Sequence, residues 1–205
     1  EHVFTLHIIQ GPSVTGISPA SQEVCQNDNS HQITVSTIGG HDLQYTWYNG
    51  NDVQVGTGNP WTVPTATAGN FEYYCVVSDN GGCEPSRSDR VSVRVWEKPS
   101  VSASTFANSC TEYGLVLTAT PTAGDGTISS YSWSASSPNA GTPCVASTSP
   151  TCTVTPTIAG TYSYKVTVTD SHSCTATAQT GSVAVYNRLD VDFSPDATDD
   201  IYYDD

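Results

Sequence analysis

Gly69-Asn-Phe-Glu-Tyr-Tyr-Cys-Val-Val-Ser-Asp79 recurs without a gap as Gly160-Thr-Tyr-Ser-Tyr-Lys-Val-Thr-Val-Thr-Asp170. The register continues downstream to Cys83 and Cys174, and further on Val91-Ser-Val-Arg-Val-Trp96 matches Gly181-Ser-Val-Ala-Val-Tyr186. Upstream, Tyr45-Thr-Trp47 matches Tyr131-Ser-Trp133, and Cys25 precedes one body as Cys110 precedes the other. The landmarks keep their order at an offset of 85 to 91 residues, so the chain contains two copies of one unit. Within each copy the apolar residues alternate, as a half-buried strand requires. Phe71, Tyr73, Cys75 and Val77 share one face, as do Tyr162, Tyr164, Val166 and Val168. Asn49-Gly50 and Asn80-Gly81-Gly82 supply turns between these runs. Each copy is therefore predicted to be a sandwich of about seven short strands, around Trp47 with Tyr73 or Trp133 with Tyr164. Burying one such ring contributes about 3 kcal/mol.

Composition agrees. No stretch carries apolar residues at helical spacing for long enough to predict a helix. A net charge of −14, with only six Lys and Arg, excludes a nucleic-acid binder and an anionic-membrane binder. No run of about 20 apolar residues exists, so membrane insertion is not expected. Seven Cys without a Cys-x-x-Cys motif or a Cys/His cluster at metal spacing point to disulfides and an extracellular or cell-surface location.

The Tyr-x-Trp strand, the Gly-x-Tyr/Phe strand ending in Asp, the following Cys and the final Val-x-Val strand resemble immunoglobulin-like repeats of the polycystic-kidney-disease type. The resemblance covers residues 13–187. It implies an all-β chain of two tandem immunoglobulin-like β-sandwich domains, as in secreted bacterial surface proteins and adhesins. Such repeats are spacers, adhesive modules or carbohydrate-contacting modules rather than enzymes. The expected organisation is an extra strand in 1–12, domains at 13–98 and 99–187, and an acidic tail in 188–205. Cys75 stands where antibody domains hold an inter-sheet cysteine, yet the strand Gln32-Ile-Thr-Val-Ser-Thr37 offers no partner. Repeat symmetry instead predicts Cys25–Cys83 and Cys110–Cys174, each closing a loop of about 60 residues worth about 4 kcal/mol. Cys144–Cys152 then staples a loop peculiar to the second copy, and Cys75 is left as a buried free thiol.

The ends are anomalous. Val3–Val14 reads like Arg90–Val101, with Phe4, Leu6 and Ile8 matching Val91, Val93 and Val95. Two readings stay open. The strand belongs to a longer array or to its own domain, or it is donated to a neighbouring copy, which builds a filament by β-strand addition. The last 18 residues hold seven Asp and one Arg. Their oxygens make calcium a candidate cofactor, with Asp199 and Asp200 the ligands, against the alternative of a solvated charge run. No nucleophile elbow, zinc-protease or phosphate-loop motif is present, and no carboxylate pair is localised, so an enzyme is not expected. Trp61, Trp96, Tyr202 and Tyr203 are candidate exposed aromatics for stacking on glycans, or else packing residues. Trp96 beside Pro99 is expected to stiffen the junction of the repeats. The leading expectation is a structural or adhesive element whose partners are copies of itself or adjacent repeats. The alternative is a carbohydrate-binding or spacer module of a larger secreted protein.

Overall fold

The computed structural model describes residues 10–104 and 108–189. The first repeat forms β1 (Ser13–Ser18), β2 (Ser21–Cys25), β3 (Gln32–Ile38), β4 (Gln44–Asn49), β5 (Gln54–Thr57), β6 (Trp61–Thr62), β7 (Gly69–Ser78), β8 (Ser86–Arg87) and β9 (Val91–Trp96). The second forms β10 (Ser100–Ser104), β11 (Asn108–Cys110), β12 (Leu115–Thr122), β13 (Ile128–Ala135), β14 (Thr151–Val154), β15 (Gly160–Tyr162), β16 (Tyr164–Asp170), β17 (Thr175–Gln179) and β18 (Val183–Tyr186). One 3₁₀ turn, Pro138–Ala140, is the only helical element among the described residues. The chain is all-β with two immunoglobulin-like domains. Phe4, Leu6 and Ile8, like Asp199, Asp200, Tyr202 and Tyr203, lie outside the described residues.

In the first repeat β1-β3-β6 form one sheet, and β2-β9-β7-β4-β5 form the other, with β8 on β7. The opening strand thus serves both sheets: β1 runs antiparallel to β3, while β2 runs parallel to β9 and sets Cys25 opposite Trp96. Alternation decides what is buried. Val91, Val93 and Val95 point inward and Ser92 outward, and Ile33 and Val35 of β3 meet them from the other sheet. β3 contributes Ile33 and Val35 to this core and no cysteine, so Cys75 packs as a hydrophobe opposite Trp47.

Trp47 is fully buried and donates from Nε1 to the Gly58 carbonyl at 2.9 Å. Trp61 is not the exposed aromatic that the sequence suggested. It is 6% exposed, stacked on Trp47 at 4.8 Å and set edge-on to Tyr73 at 5.1 Å. The cause is Gly56, the residue opposite Trp47 on β5, which bears no side chain. A Cβ there would run into the Trp61 indole.

In the second repeat the sheets are β10-β12-β14, β11-β18-β15 and β13-β16-β17. Parallel pairing of β11 with β18 reproduces that of β2 with β9 and sets Cys110 opposite Tyr186. Leu115, Leu117, Trp133, Tyr164 and Val166 are buried. Tyr162 Oη donates to the Ile158 carbonyl four residues upstream at 2.8 Å, pinning the corner that leads into β15 and β16.

The described residues divide into two compact units. Unit 1 holds the first repeat to Val101, with Pro121–Ser129 and Val168–Ala176; unit 2 holds Ser102–Thr120, Ser130–Thr167 and the chain from Thr177.

Candidate functional site

One constellation of unit 1 gathers the ends of β2 and β9, the segment around Asp125, and the turn that follows β16. That turn is built by Asp170, which is 2% exposed. Its Oδ1 accepts from the backbone N–H groups of His172 at 2.9 Å and Cys174 at 2.8 Å. An Asx turn of this kind replaces backbone pairing with a carboxylate and fixes the direction of the cysteine behind it. Cys174 is 1% exposed and disulfide-bonded to Cys25, with Cα atoms 5.6 Å apart.

Beside the bond, the Trp96 indole stacks on the His172 imidazole, centroids 3.6 Å apart and planes 11° from parallel. The Arg94 guanidinium lies 4.3 Å over the same indole and pairs with Asp125 at 3.0 Å. The second role of Asp125 Oδ2 is to accept from the Glu97 N–H at 3.0 Å. Gly124 lets the chain come this close, because a Cβ there would strike the Glu97 carbonyl. The result is a bracket of one covalent bond, one aromatic stack, one cation over a π face and one shared carboxylate. It holds shape; it has no nucleophile–base pair.

The observed pairing corrects both repeat-symmetric disulfides. Cys25 is bonded to Cys174, and Cys83 and Cys110 carry free thiols, so Cys25–Cys83 and Cys110–Cys174 are absent. The reason is strand polarity. Cys25 sits level with Trp96 at the end of β9, whereas Cys83 follows β7, whose later residues lie toward the Val91 end. The five-residue rise of β9 spans about 17 Å, against roughly 4.4–6.8 Å between the Cα atoms of a disulfide. Sequence reasoning missed the bracket because its alignment treats each repeat as closed on itself. The structure also bonds Cys144 to Cys152, with Cα atoms 5.8 Å apart. Cys75 is buried and free, and burial pushes its thiol up to about 12.

Other aromatics of the described residues are engaged in packing contacts. Tyr48 and Tyr74 stack at 5.4 Å on the outer face of β4 and β7. Arg87 covers the Tyr74 ring at 3.6 Å, and Tyr74 Oη donates to Asp52 at 2.8 Å, so that ring is capped. Trp96 is committed to His172. Among the described residues no three His, Cys, Asp or Glu are grouped to hold a metal ion, and no helix is long and apolar enough to cross a membrane.

Comparison with known proteins agrees with this architecture. Residues 12–96 match the Ig-like domain, CHU_C associated, and residues 111–185 match the K319L-like PKD domain. No curated protein sequence matches the chain. Among solved structures, the fibronectin(III)-like modules of Clostridium thermocellum CbhA are 18% identical. That likeness covers 86% of this chain and 94% of theirs, with a TM-score of 0.43. The C-terminal 282-residue fragment of intimin, solved with its translocated intimin receptor, is 13% identical, covering 84% and 64%, with a TM-score of 0.40. The PKD domain of human KIAA0319 is 17% identical, covering 46% of this chain and 88% of its own, with a TM-score of 0.30.

Proposed function

We propose that this pairing of an Ig-like with a PKD-like domain serves as a non-catalytic, tension-bearing structural element of a bacterial surface array or filament. Immunoglobulin- and PKD-like domains of this kind are of the extracellular adhesion or spacer type, and the disulfides point to an extracellular or surface location. The observation that carries the reading is the Cys25–Cys174 bond. Its partners are 149 residues apart in sequence, so a pull on the two ends of the chain passes through one covalent bond rather than through both domains. The Trp96–His172 stack and the Arg94–Asp125 pair support that bond from the side. Growth of such a filament by donation of residues 3–9 belongs to the same reading. Replacement of Phe4, Leu6 and Ile8 by Ser then leaves the protein monomeric, and assembly undiminished by those changes refutes donation.

Single-molecule stretching from the two termini tests the main claim. The oxidised chain extends only outside residues 25–174. Addition of reductant releases about 500 Å more, being 149 residues at about 3.3–3.6 Å each. Full extension without reductant contradicts the reading. The alternative, a carbohydrate-binding module of a larger secreted protein, requires saturable glycan binding by the intact chain.

A further inference from the structure

Cys83 and Cys110, both free, occupy in their repeats the positions that the bonded Cys174 and Cys25 hold in the other. The local structure around Cys110 copies that around Cys25 residue by residue. Cys25 ends β2 opposite Trp96, and Cys110 ends β11 opposite Tyr186. The next N–H donates to the strand opposite in both, Gln26 to Trp96 O and Thr111 to Tyr186 O, each at 2.8 Å. The residue after that has positive φ in both, Asn27 at 61° and Glu112 at 67°. Its N–H donates to Thr65 O at 2.9 Å in one copy and to Pro156 O at 2.9 Å in the other.

Cys83 copies Cys174 in the same way. Asp79 Oδ1 accepts from Gly81 N at 3.1 Å and Cys83 N at 3.3 Å, the Asx turn that Asp170 makes for Cys174. The residue before the cysteine has positive φ in both, Gly82 at 73° and Ser173 at 65°. Cys25 and Cys174 are bonded, while their counterparts Cys110 and Cys83 are half-exposed and free. Tyr186, beside Cys110, is 58% exposed, whereas Trp96, in the same place beside Cys25, is stacked on His172. An unbonded cysteine thus lies next to an uncovered aromatic at one site, and a formed turn carrying the matching cysteine stands at the other.

We infer that Cys110 of one copy forms a disulfide with Cys83 of a second copy of this chain, with Tyr186 lying on the backbone of the Asp79–Cys83 turn at Gly81 as Trp96 lies on His172. Strand polarity excludes closure within one repeat. Within the first repeat the sulfur after β7 and the sulfur ending β2 belong to opposite ends of β9, so a repeat cannot close this bond on itself. The contact is heterologous, since each copy contributes a different surface. The chemistry balances by thiol–disulfide exchange: the two cysteines lose two electrons and two protons, and an external low-molecular-weight disulfide is cleaved to two thiols. This deepens the load-bearing reading and rests on it, because it carries the covalent path from one copy to the next.

The test uses the full chain as Cys83→Ser and Cys110→Ser variants in a glutathione redox buffer, separately and as an equimolar mixture. The mixture is expected to give a covalent dimer on non-reducing gels, with a linked Cys83–Cys110 peptide, in at least about tenfold higher yield than either variant alone. Wild-type chain gives a ladder that reductant collapses. No dimer in the mixture, equal dimer yields in the separate incubations, or a Cys83–Cys110 bond within single wild-type chains would each overturn the inference. Melting curves of both variants, with Cys25–Cys174 intact, report that they are folded. Failure here with reductant-gated extension unchanged removes the coupling and leaves the tension-bearing reading standing.

Discussion

Trp47→Phe and Trp133→Phe should differ in cost although both indoles are buried, Trp47 at 0% and Trp133 at 2% exposure. Each change removes one ring of the indole, and that packing loss is common to both. The N–H separates them. Trp47 Nε1 donates to the Gly58 carbonyl at 2.9 Å, so Phe removes a hydrogen bond worth about 0.5–1.5 kcal/mol. Trp133 Nε1 has no acceptor among the described residues, so Phe deletes a buried, unpaired donor and relieves about 1–3 kcal/mol. The net expectation is that Trp47→Phe costs about 1.5–4.5 kcal/mol more than Trp133→Phe. Urea unfolding followed by circular dichroism reads this directly. At a slope of about 2 kcal/mol/M the variants' midpoints differ by about 1–2 M. Equal losses, or a larger loss at Trp133, would refute the hydrogen-bond assignment.

Removing the long disulfide by Cys25→Ser with Cys174→Ser frees a loop of 149 residues in the unfolded chain, worth about 5 kcal/mol by chain entropy. The expected result is a melting temperature lower by about 10–20 °C, and an unchanged melt would count against the bond's role. Removing Cys144 and Cys152 together, separated by only 8 residues, should cost about half as much. Cys75 gives a pH test. Its folded thiol is pushed up to about 12 from 9.0 by burial, so its contribution is complete below pH 9 and is lost as pH rises toward 12. The full loss is about 4 kcal/mol. Cys75→Val, which copies Val166, should therefore flatten the alkaline decline in stability between pH 9 and 11; an identical decline in both proteins contradicts the assignment.

The fold was legible because alternation is local. Val91, Val93 and Val95 state their buried face within six residues, and the recurrence of Tyr-x-Trp and Gly-x-Phe/Tyr states the architecture twice. Trp61 was misread because its burial depends on an absent side chain at Gly56, five residues away and across a strand pair, which no period reveals. The cysteines were misread for a different reason. Aligning Cys25 with Cys110 and Cys83 with Cys174 correctly identified equivalent positions. It carried no information on strand direction, and direction decides which equivalents lie within reach. Had the parallel pairing of β2 with β9 been visible in sequence, a bond inside one repeat would have been excluded at once. The bracket of Arg94, Trp96, Asp125 and His172 was invisible for the same reason, since its members come from segments that no motif links.

Disulfide connectivity tests the central claim most directly. The intact chain is alkylated without reduction, digested, and mapped by mass spectrometry. A linked Cys25–Cys174 pair is expected beside Cys144–Cys152, with alkylated Cys83 and Cys110 in the monomer. Recovery of Cys25–Cys83 and Cys110–Cys174 peptides would contradict it.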